Sequence, residues 1–438
     1  MTDKSYPLSL PQRDIYYEQL LHPDSTIYNI GAKVQIEGRI QSFFLILAIK
    51  LLVKRYDVLR SVIVNMDGVP YMNIVDNYEP VIDYLDLSFE PDPDQAAESF
   101  ISREFNKPFD LSGISLLHKH WILKISKDRH IVFAAYHHLI ADGWSTSLLL
   151  SRVSDIYNAF KYNQPDTLPD HSYIDFIKDD LDYLNSARFE LDQEYWKQKC
   201  EAHPEPAFLP FRKDITAAVT GDTRRKAIYI DRQTYNALIK FSADHSVTTF
   251  HFLVGIVLTY FSSLFDNNSI ILGLPLLNRK NKKFKQTVGL FASLTPLLLK
   301  VERSAAFINL LKDIRNELKE NFRHQRLPLS IIAANAGWMK GNLQQTVYQV
   351  FFSYEKHDYS VSIDGCPCIV TPLMHQMEKT PLAIYVREFD DHRDVKIDFD
   401  YNTSFFNTDF IESFSNRFQS LIHELLHTPG KPISALQM

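Results

Sequence analysis

The sequence predicts an α/β protein built as two lobes, each a mixed sheet with helices. Three observations lead there. The chain has 438 residues, too many for one ordinary core. Strand-like and helix-like apolar patterns alternate through both halves, which favours α/β layers over a bundle or a sandwich. The tract YNQPDTLPD (162–170), rich in Pro, Asp and Asn, breaks the pattern and reads as a connection. It assigns residues 1–170 to an N-terminal lobe and 171–438 to a C-terminal lobe.

The elements follow from periodicity and turn chemistry. Residues 8–21 read as a helix, 32–37 as a strand and 41–56 as a helix. Strands are expected at 59–65 and 70–75, a helix at 94–105, and strands at 115–126 and 130–136. The next helix carries Leu149, Val153, Ile156 and Phe160 on one face, spaced four, three, four. Beyond the connection the pattern predicts a helix near 173–200, a strand at 226–230 and a long helical region over 232–265. Strands follow at 269–274 and 291–300, then a helix at 304–323 and a strand at 346–354. Residues 382–389 and 394–401 read as a hairpin across Asp390-Asp391-His392, and 408–427 as a final amphipathic helix.

Composition narrows the class. Hydrophobic residues make up 45% and charged residues 23%, the profile of a soluble globular protein. A formal net charge of −6 argues against broad, non-specific nucleic-acid binding. Three cysteines, Cys200, Cys366 and Cys368, suggest no disulfide framework, and Cys366-Pro367-Cys368 is too short for a CxxC pair. The start, MTDKSYPLSLPQ, lacks an apolar core of signal-peptide length. The longest apolar stretches, near 43–53 and 252–261, fall short of a membrane span, and Lys50 interrupts the first. The expected setting is the cytoplasm, so the Asn-x-Ser matches at Asn267 and Asn402 read as chance.

The stretch YHHLIADGWSTS (136–147) concentrates the chemistry. An apolar run, 131–136, leads into two histidines, and an amphipathic stretch follows. Strand ends hold side chains rigidly while the turn exposes them. Gly143 permits close approach of a ligand. Ser145 is a good helix N-cap. Histidine suits proton transfer near neutral pH, and Asp142 can orient an imidazole or pair with an arginine. Other readings remain open on local physics. HHxxxD has no established metal-ligand spacing. GWSTS resembles a nucleophile elbow around Ser145, but Ser147 stands where the second glycine is needed. Two histidines satisfied by hydrogen bonds at a helix start is the plainest reading.

HHLIADG also resembles the HHxxxDG signature of nonribosomal peptide synthetase condensation domains, of the chloramphenicol acetyltransferase-like superfamily. Other stretches resemble that family's motifs in order: LSLPQRDIYYEQLL (8–21), KRYDVLRSVIV (54–64), NKPFDLSG (106–113), SYIDFI with EYW (194–196), VGLFASLTPLLL (288–299), HQRLPLSII (324–332) and FDYNTSFF (399–406). The resemblance implies two acetyltransferase-like lobes in a V with a central tunnel. It implies amide formation: the amine of an aminoacyl group on an acceptor carrier protein attacks a thioester-bound acyl donor. The chain itself then binds no cofactor. Phosphopantetheine belongs to the partner carriers, acyl-CoA or an acyl carrier protein can serve as donor, and an adenylation domain is expected downstream. No nucleic acid, membrane span or metal is expected. Family roles place catalysis on His138, by taking a proton or by positioning the amine. His137 supports the turn, Asp142 makes a site-shaping salt bridge with Arg60 as expected partner, and Gly143 lies near the acceptor amine. Trp144, Ala292, Ser293 and Thr295 are expected along the tunnel. Tyr195-Trp196 and Asn278-Arg279 read as packing or lobe-contact residues.

The chain departs from the family pattern in places. Tyr16 or Tyr17 stands where Trp is usual, and His118 where many members carry arginine. His118 and His120, at period two, share a strand face and form a metal pair only on paper. Phe291-Ala292-Ser293-Leu294 replaces the usual F-V-N-T, which suggests a non-standard donor. That change, and the closeness of PLSLPQRD to Met1, predict a starter domain that N-acylates the first amino acid with a fatty acyl group, as in lipopeptide antibiotic synthesis. Alternatives are a peptidyl-donor condensation domain, a free-standing acyl-CoA-dependent acyltransferase, an epimerisation domain, or a non-catalytic recruitment module.

Overall fold

The structure, a computed structural model, describes residues 5–203, 222–264, 269–338, 347–356, 361–373, 380–389 and 391–437. Two compact units emerge, and neither is continuous in sequence. The first gathers 1–186, 277–292 and 357–376; the second gathers 187–276, 293–356 and 377–438. The first unit thus runs past residue 170 to Ser186 and takes back two later segments. Elements are numbered in chain order.

In the first unit a six-stranded sheet has the order β12-β13-β2-β7-β6-β5. Its strands are β2 (Asn29–Glu37), β5 (Asp83–Asp86), β6 (His118–Ser126), β7 (Arg129–His137), β12 (Ser362–Ile363) and β13 (Cys366–Pro372). β7 lies between β2 and β6, antiparallel to both. All but its first residue are buried, which is why 131–136 reads as an unbroken apolar run. Trp121 of β6 stacks on Phe133 of β7 with centroids 5.2 Å apart and meets Phe100 of α3 (Pro93–Phe105) edge-on. The helices α2 (Ser42–Arg55) and α4 (Gly143–Tyr162) pack on each other and α4 on β2. A small sheet, β1 (Ser5–Pro7), β4 (Val69–Ile74) and β3 (Ser61–Met66), adjoins α1 (Leu10–Leu21) in sequence. The helices α5 (Ile174–Leu184) and α9 (Lys282–Lys285) complete the unit.

The second unit has its own six-stranded sheet, β10-β9-β11-β14-β15-β8. Here β8 is Thr223–Ile230, β9 Ser269–Leu276, β10 Ser293–Lys300, β11 Val350–Glu355, β14 Leu382–Arg387 and β15 Val395–Asn402. β11 runs parallel to β9 and β14, and the other pairs are antiparallel. The expected hairpin is the β14–β15 pair; Asp390 lies outside the described residues, as do Met1, Asn267 and residue 346. The helices are α6 (Ala187–Glu201), α7 (Arg232–Asp244), α8 (Thr249–Ser262), α10 (Phe307–Arg323), α11 (Leu329–Asn335) and α12 (Thr408–His427).

Two long helices expected from the pattern are broken. Residues 173–200 form α5 and α6, separated at Asn185-Ser186. The stretch expected as one helix over 232–265 holds α7 and α8, bent by 99°, and residue 265 lies outside the described residues. Ser246 adopts a positive φ of 56°, and Thr248 caps α8 through a reciprocal bond with His251, so a new helix starts despite the continuing apolar pattern. Among the described residues no single helix is long and apolar enough to cross a membrane.

Candidate active site

The turn after β7 is held from several sides by the first unit. The His138 N–H donates to the Tyr28 carbonyl at 2.8 Å, and the His137 N–H to the Leu117 carbonyl at 2.8 Å. The fully buried Gln12 of α1, part of the LSLPQ stretch, donates its amide to the Leu139 carbonyl at 2.8 Å. The opening motif therefore pins the loop that carries the histidines.

His137 is locked as a neutral ring. Its Nδ1 accepts from the Leu139 N–H at 3.1 Å, and its Nε2 meets Gln19 Oε1 at 3.3 Å. The Gln19 amide nitrogen already donates to the His22 and Ser25 carbonyls, so its oxygen is the acceptor and His137 carries its proton on Nε2. Burial, with a smaller push from His138, drops its pKa to about 3. Such a group supports the turn and moves no proton near neutral pH.

His138 differs. Its ring is surrounded by protein, yet the residue keeps part of its surface accessible. Nδ1 is buried without a hydrogen-bond partner among the described residues. Burial lowers its pKa below the ordinary 6.5, while the Asp142 charge and the nearby backbone of His138 and Ala141 pull the other way without meeting Nδ1 at bonding geometry. A neutral imidazole that something can reach is suited to accept a proton from an ammonium group or to orient an amine.

Asp142 is the N-cap of α4, accepting the Ser145 N–H at Oδ1, 2.7 Å. The cap expected at Ser145 is thus one turn earlier. The expected partner Arg60 is elsewhere: it donates to the Lys54 and Val75 carbonyls. The partner is Arg279, whose Nη2 lies 2.9 Å from Oδ1 and 3.1 Å from Oδ2, both side chains sealed from solvent. Asp142 Oδ2 also accepts the N–H groups of Phe291 (3.0 Å) and Ala292 (3.1 Å). Burial alone raises a carboxyl pKa; the Arg279 charge and these N–H donors outweigh it and hold Asp142 below the usual range. Arg279 Nη1 donates in turn to the Phe284 and Thr287 carbonyls, at 2.5 and 2.6 Å, and the guanidinium lies 4.0 Å from the Phe291 ring centroid.

Ser145 is fully buried and serves this clamp. Its hydroxyl donates to the Gly289 carbonyl at 2.6 Å and accepts from the Gly289 N–H and from Arg279. That excludes the exposed geometry a nucleophile elbow needs. Gly289 has φ +155°, and a Cβ there would lie 2.1 Å from Tyr173 Cδ2. The Tyr173 hydroxyl joins Ser9 Oγ, at 2.9 Å, and the Leu290 carbonyl. Motif segments far apart in sequence thus share one hydrogen-bonded cluster.

The first unit brings together His137, His138, Asp142, Gly143, Trp144 and Ala292. Gly143 is exposed, and Trp144 Nε1 donates to the Lys285 carbonyl at 2.8 Å. Ser293 and Thr295 belong to the second unit, on β10, their hydroxyls buried without partners among the described residues. There Tyr195 stacks on His324 at 3.9 Å and Trp196 donates to the His324 carbonyl. His118 and His120 lie in the first unit with ring centroids 5.0 Å apart, His120 Nε2 meeting the Tyr136 hydroxyl at 3.0 Å. Burial lowers the His118 pKa to about 4. Among the described residues no group of three or more His, Cys, Asp or Glu side chains is arranged to hold a metal.

A family model described as "Condensation domain" matches residues 2–438. The chain is 24% identical to Surfactin synthase subunit 1 of Bacillus subtilis over 99% of its own length and 12% of that protein's. It is 24% identical to Phosphinothricin tripeptide synthetase PhsC of Streptomyces viridochromogenes, over 99% and 40% respectively. The chain therefore spans less than half the length of these relatives. Among solved structures, a variant of the starter condensation domain of rhizomide synthetase RzmA in complex with C8-CoA superposes with a TM-score of 0.88 at 24% identity, covering 99% of this chain and 98% of that one. The first condensation domain of the calcium-dependent antibiotic synthetase, with a substrate analogue, gives 0.84 at 18%, covering 100% and 99%. These likenesses establish the fold.

Proposed function

Because this chain belongs to the condensation-domain family, acyltransferases that form amide bonds, we propose that it transfers an acyl group from a thioester to the amine of an aminoacyl group on a phosphopantetheine carrier. The observation that carries this is the neutral, reachable imidazole of His138 on a turn clamped by Asp142 and Arg279. The acceptor ammonium gives a proton to the imidazole. The free amine forms the C–N bond and loses a second proton to water as the C–S bond breaks, and the thiolate leaves with the proton held by the imidazole. His138 is the catalytic residue; His137, Asp142 and Arg279 position it. Removing one positioned acid–base group costs about 10²–10⁴-fold, so His138→Ala should lose most amide product while retaining the wild-type circular dichroism spectrum. Near-wild-type product formation by that folded variant excludes the assignment.

The donor in this reading is a fatty acyl group, making the chain a starter domain. Ala292 supports it. This small, half-buried residue is tied to Asp142 by its backbone N–H, beside the motif turn, and a methyl side chain is what a donor carrying a long alkyl chain requires there. Each buried methylene is worth about 0.8 kcal/mol, so an apolar channel can select by length. The likeness to a domain solved with C8-CoA points the same way. The reading includes a cytoplasmic setting beside adenylation and carrier domains. Offering acyl-CoA, acyl-carrier and aminoacyl-carrier donors to one loaded acceptor, with products read by mass spectrometry, tests it. Dipeptide without fatty acylation refutes the starter assignment, and Ala292→Trp should shorten the preferred chain.

A further inference from the structure

We propose that Lys282 and Lys285 receive a phosphate group of the thioester's carrier, an inference that rests on the acyl-transfer reading above. In a chain of net charge −6, five of the seven residues 279–285 are cationic. The structure accounts for three of them. Arg279 is spent on Asp142, Lys280 pairs with Asp179, and Lys283 meets Asp175 at 2.6 Å, both on α5. Lys282 and Lys285 are exposed and have no carboxylate partner among the described residues. Three apart on α9, they share one side of it, where like charges destabilise. Nothing among the described residues explains keeping both.

Their position supplies the explanation. α9 is fastened to the turn that carries His138. Trp144 Nε1 donates to the Lys285 carbonyl, and Arg279, which grips Asp142, also donates to the Phe284 carbonyl. The Phe284 side chain is buried against Phe176 and Phe291. Two unpaired ammonium groups are thus carried on backbone fixed to the catalytic turn. An acyl thioester on pantetheine is neutral near the reacting carbon and anionic at the far end of its arm, where phosphate is attached. Lysine binds phosphate as a point charge on a flexible stem. The phosphate can be one of those of CoA or the phosphodiester that joins the arm to a carrier protein.

The test compares octanoyl-CoA, its 3′-dephospho form and octanoyl-pantetheine, which lacks phosphate, with one aminoacyl N-acetylcysteamine as acceptor. In the Lys282→Ala/Lys285→Ala variant, KM for octanoyl-CoA should rise about tenfold, the worth of one charge-assisted contact. KM for octanoyl-pantetheine and both kcat values should stay as in the wild type. A dephospho form that responds like CoA assigns the contact to the phosphates next to pantetheine; one that responds like pantetheine assigns it to the 3′-phosphate. No change with any donor, or equal change with all three, overturns the proposal. Calorimetric titration with CoA and with pantetheine reads the contact without turnover: equal CoA affinity in variant and wild type also overturns it. Absence of amide product from wild type and octanoyl-pantetheine counts against the acyl-transfer reading and leaves calorimetry to decide the lysines.

Discussion

Replacing Arg279 by Met removes the cation beneath the catalytic turn and keeps much of the side-chain volume. Both partners of the pair are sealed, with side-chain exposures of 0% for Arg279 and 2% for Asp142. Breaking such a pair by removing one member costs about 3–5 kcal/mol, because a charge stays buried. Asp142 would retain three N–H donors, from Ser145, Phe291 and Ala292, so Arg279→Met belongs near the lower figure, about 3 kcal/mol. Asp142→Ala strands those three donors and the guanidinium and removes a helix cap, which places it at about 5 kcal/mol. The double variant should fall short of the sum by about 1–3 kcal/mol. Arg60→Met, which loses bonds to two carbonyls and a charge near Asp57, should cost about 1 kcal/mol. Urea unfolding of the four variants measures the series. The pH dependence has a definite sign. Asp142 has a lowered pKa in the folded protein, so its contribution is complete above the unfolded value of 3.8 and is lost as pH falls through the folded value. Without Arg279, burial raises that pKa, so the penalty of Arg279→Met shrinks on acidification as the carboxyl protonates. Additive effects, or Arg279→Met within 1 kcal/mol of wild type at neutral pH, would refute the reasoning.

Three further outcomes are expected. The His138 ring should titrate below 6.5 by NMR, so that stability tied to its neutral form is complete above that pH and declines as pH falls through it; a midpoint at or above 6.5 contradicts the burial argument. Gly289→Ala drives a Cβ into the Tyr173 ring at a positive φ and should lose more than about 2 kcal/mol in thermal unfolding, where an unchanged melting temperature contradicts the packing described. Activity should survive EDTA, since His118 and His120 alone make a poor ligand set; loss that zinc restores reverses that.

The strand–turn–helix at 129–162 was legible because its signals are local: a run buried on both faces, then glycine and polar residues, then a period near 3.6. The partner of Asp142 was not, since Arg279 is 137 residues away and Arg60 fits the same charge argument. The cap at Asp142 lost out to Ser145 because both residue types cap well and only the backbone decides. The break between α7 and α8 hides in an apolar pattern that continues across it. β13 carries little strand signal in the sequence because two prolines bound or interrupt it and Ile369, 48% exposed, points outward, so its alternation is weak. The roles of Gln12 and Gln19 depend on contacts across the fold that no spacing along α1 announces.

The clamp on the histidine turn is supplied late. Asp142 meets Ala292 150 residues further along the chain. At about 5–20 residues per second, a growing polypeptide carries this carboxylate for roughly 8–30 s before its last donor has been made. Over that interval the strand and helix flanking the turn can form while the aspartate stays hydrated. A chimera that joins 1–186 of one domain to the remainder of another inherits the turn from one parent and its clamp from the other. The identities of Arg279, Gly289 and Phe291 then decide whether the imidazole of His138 is held in place.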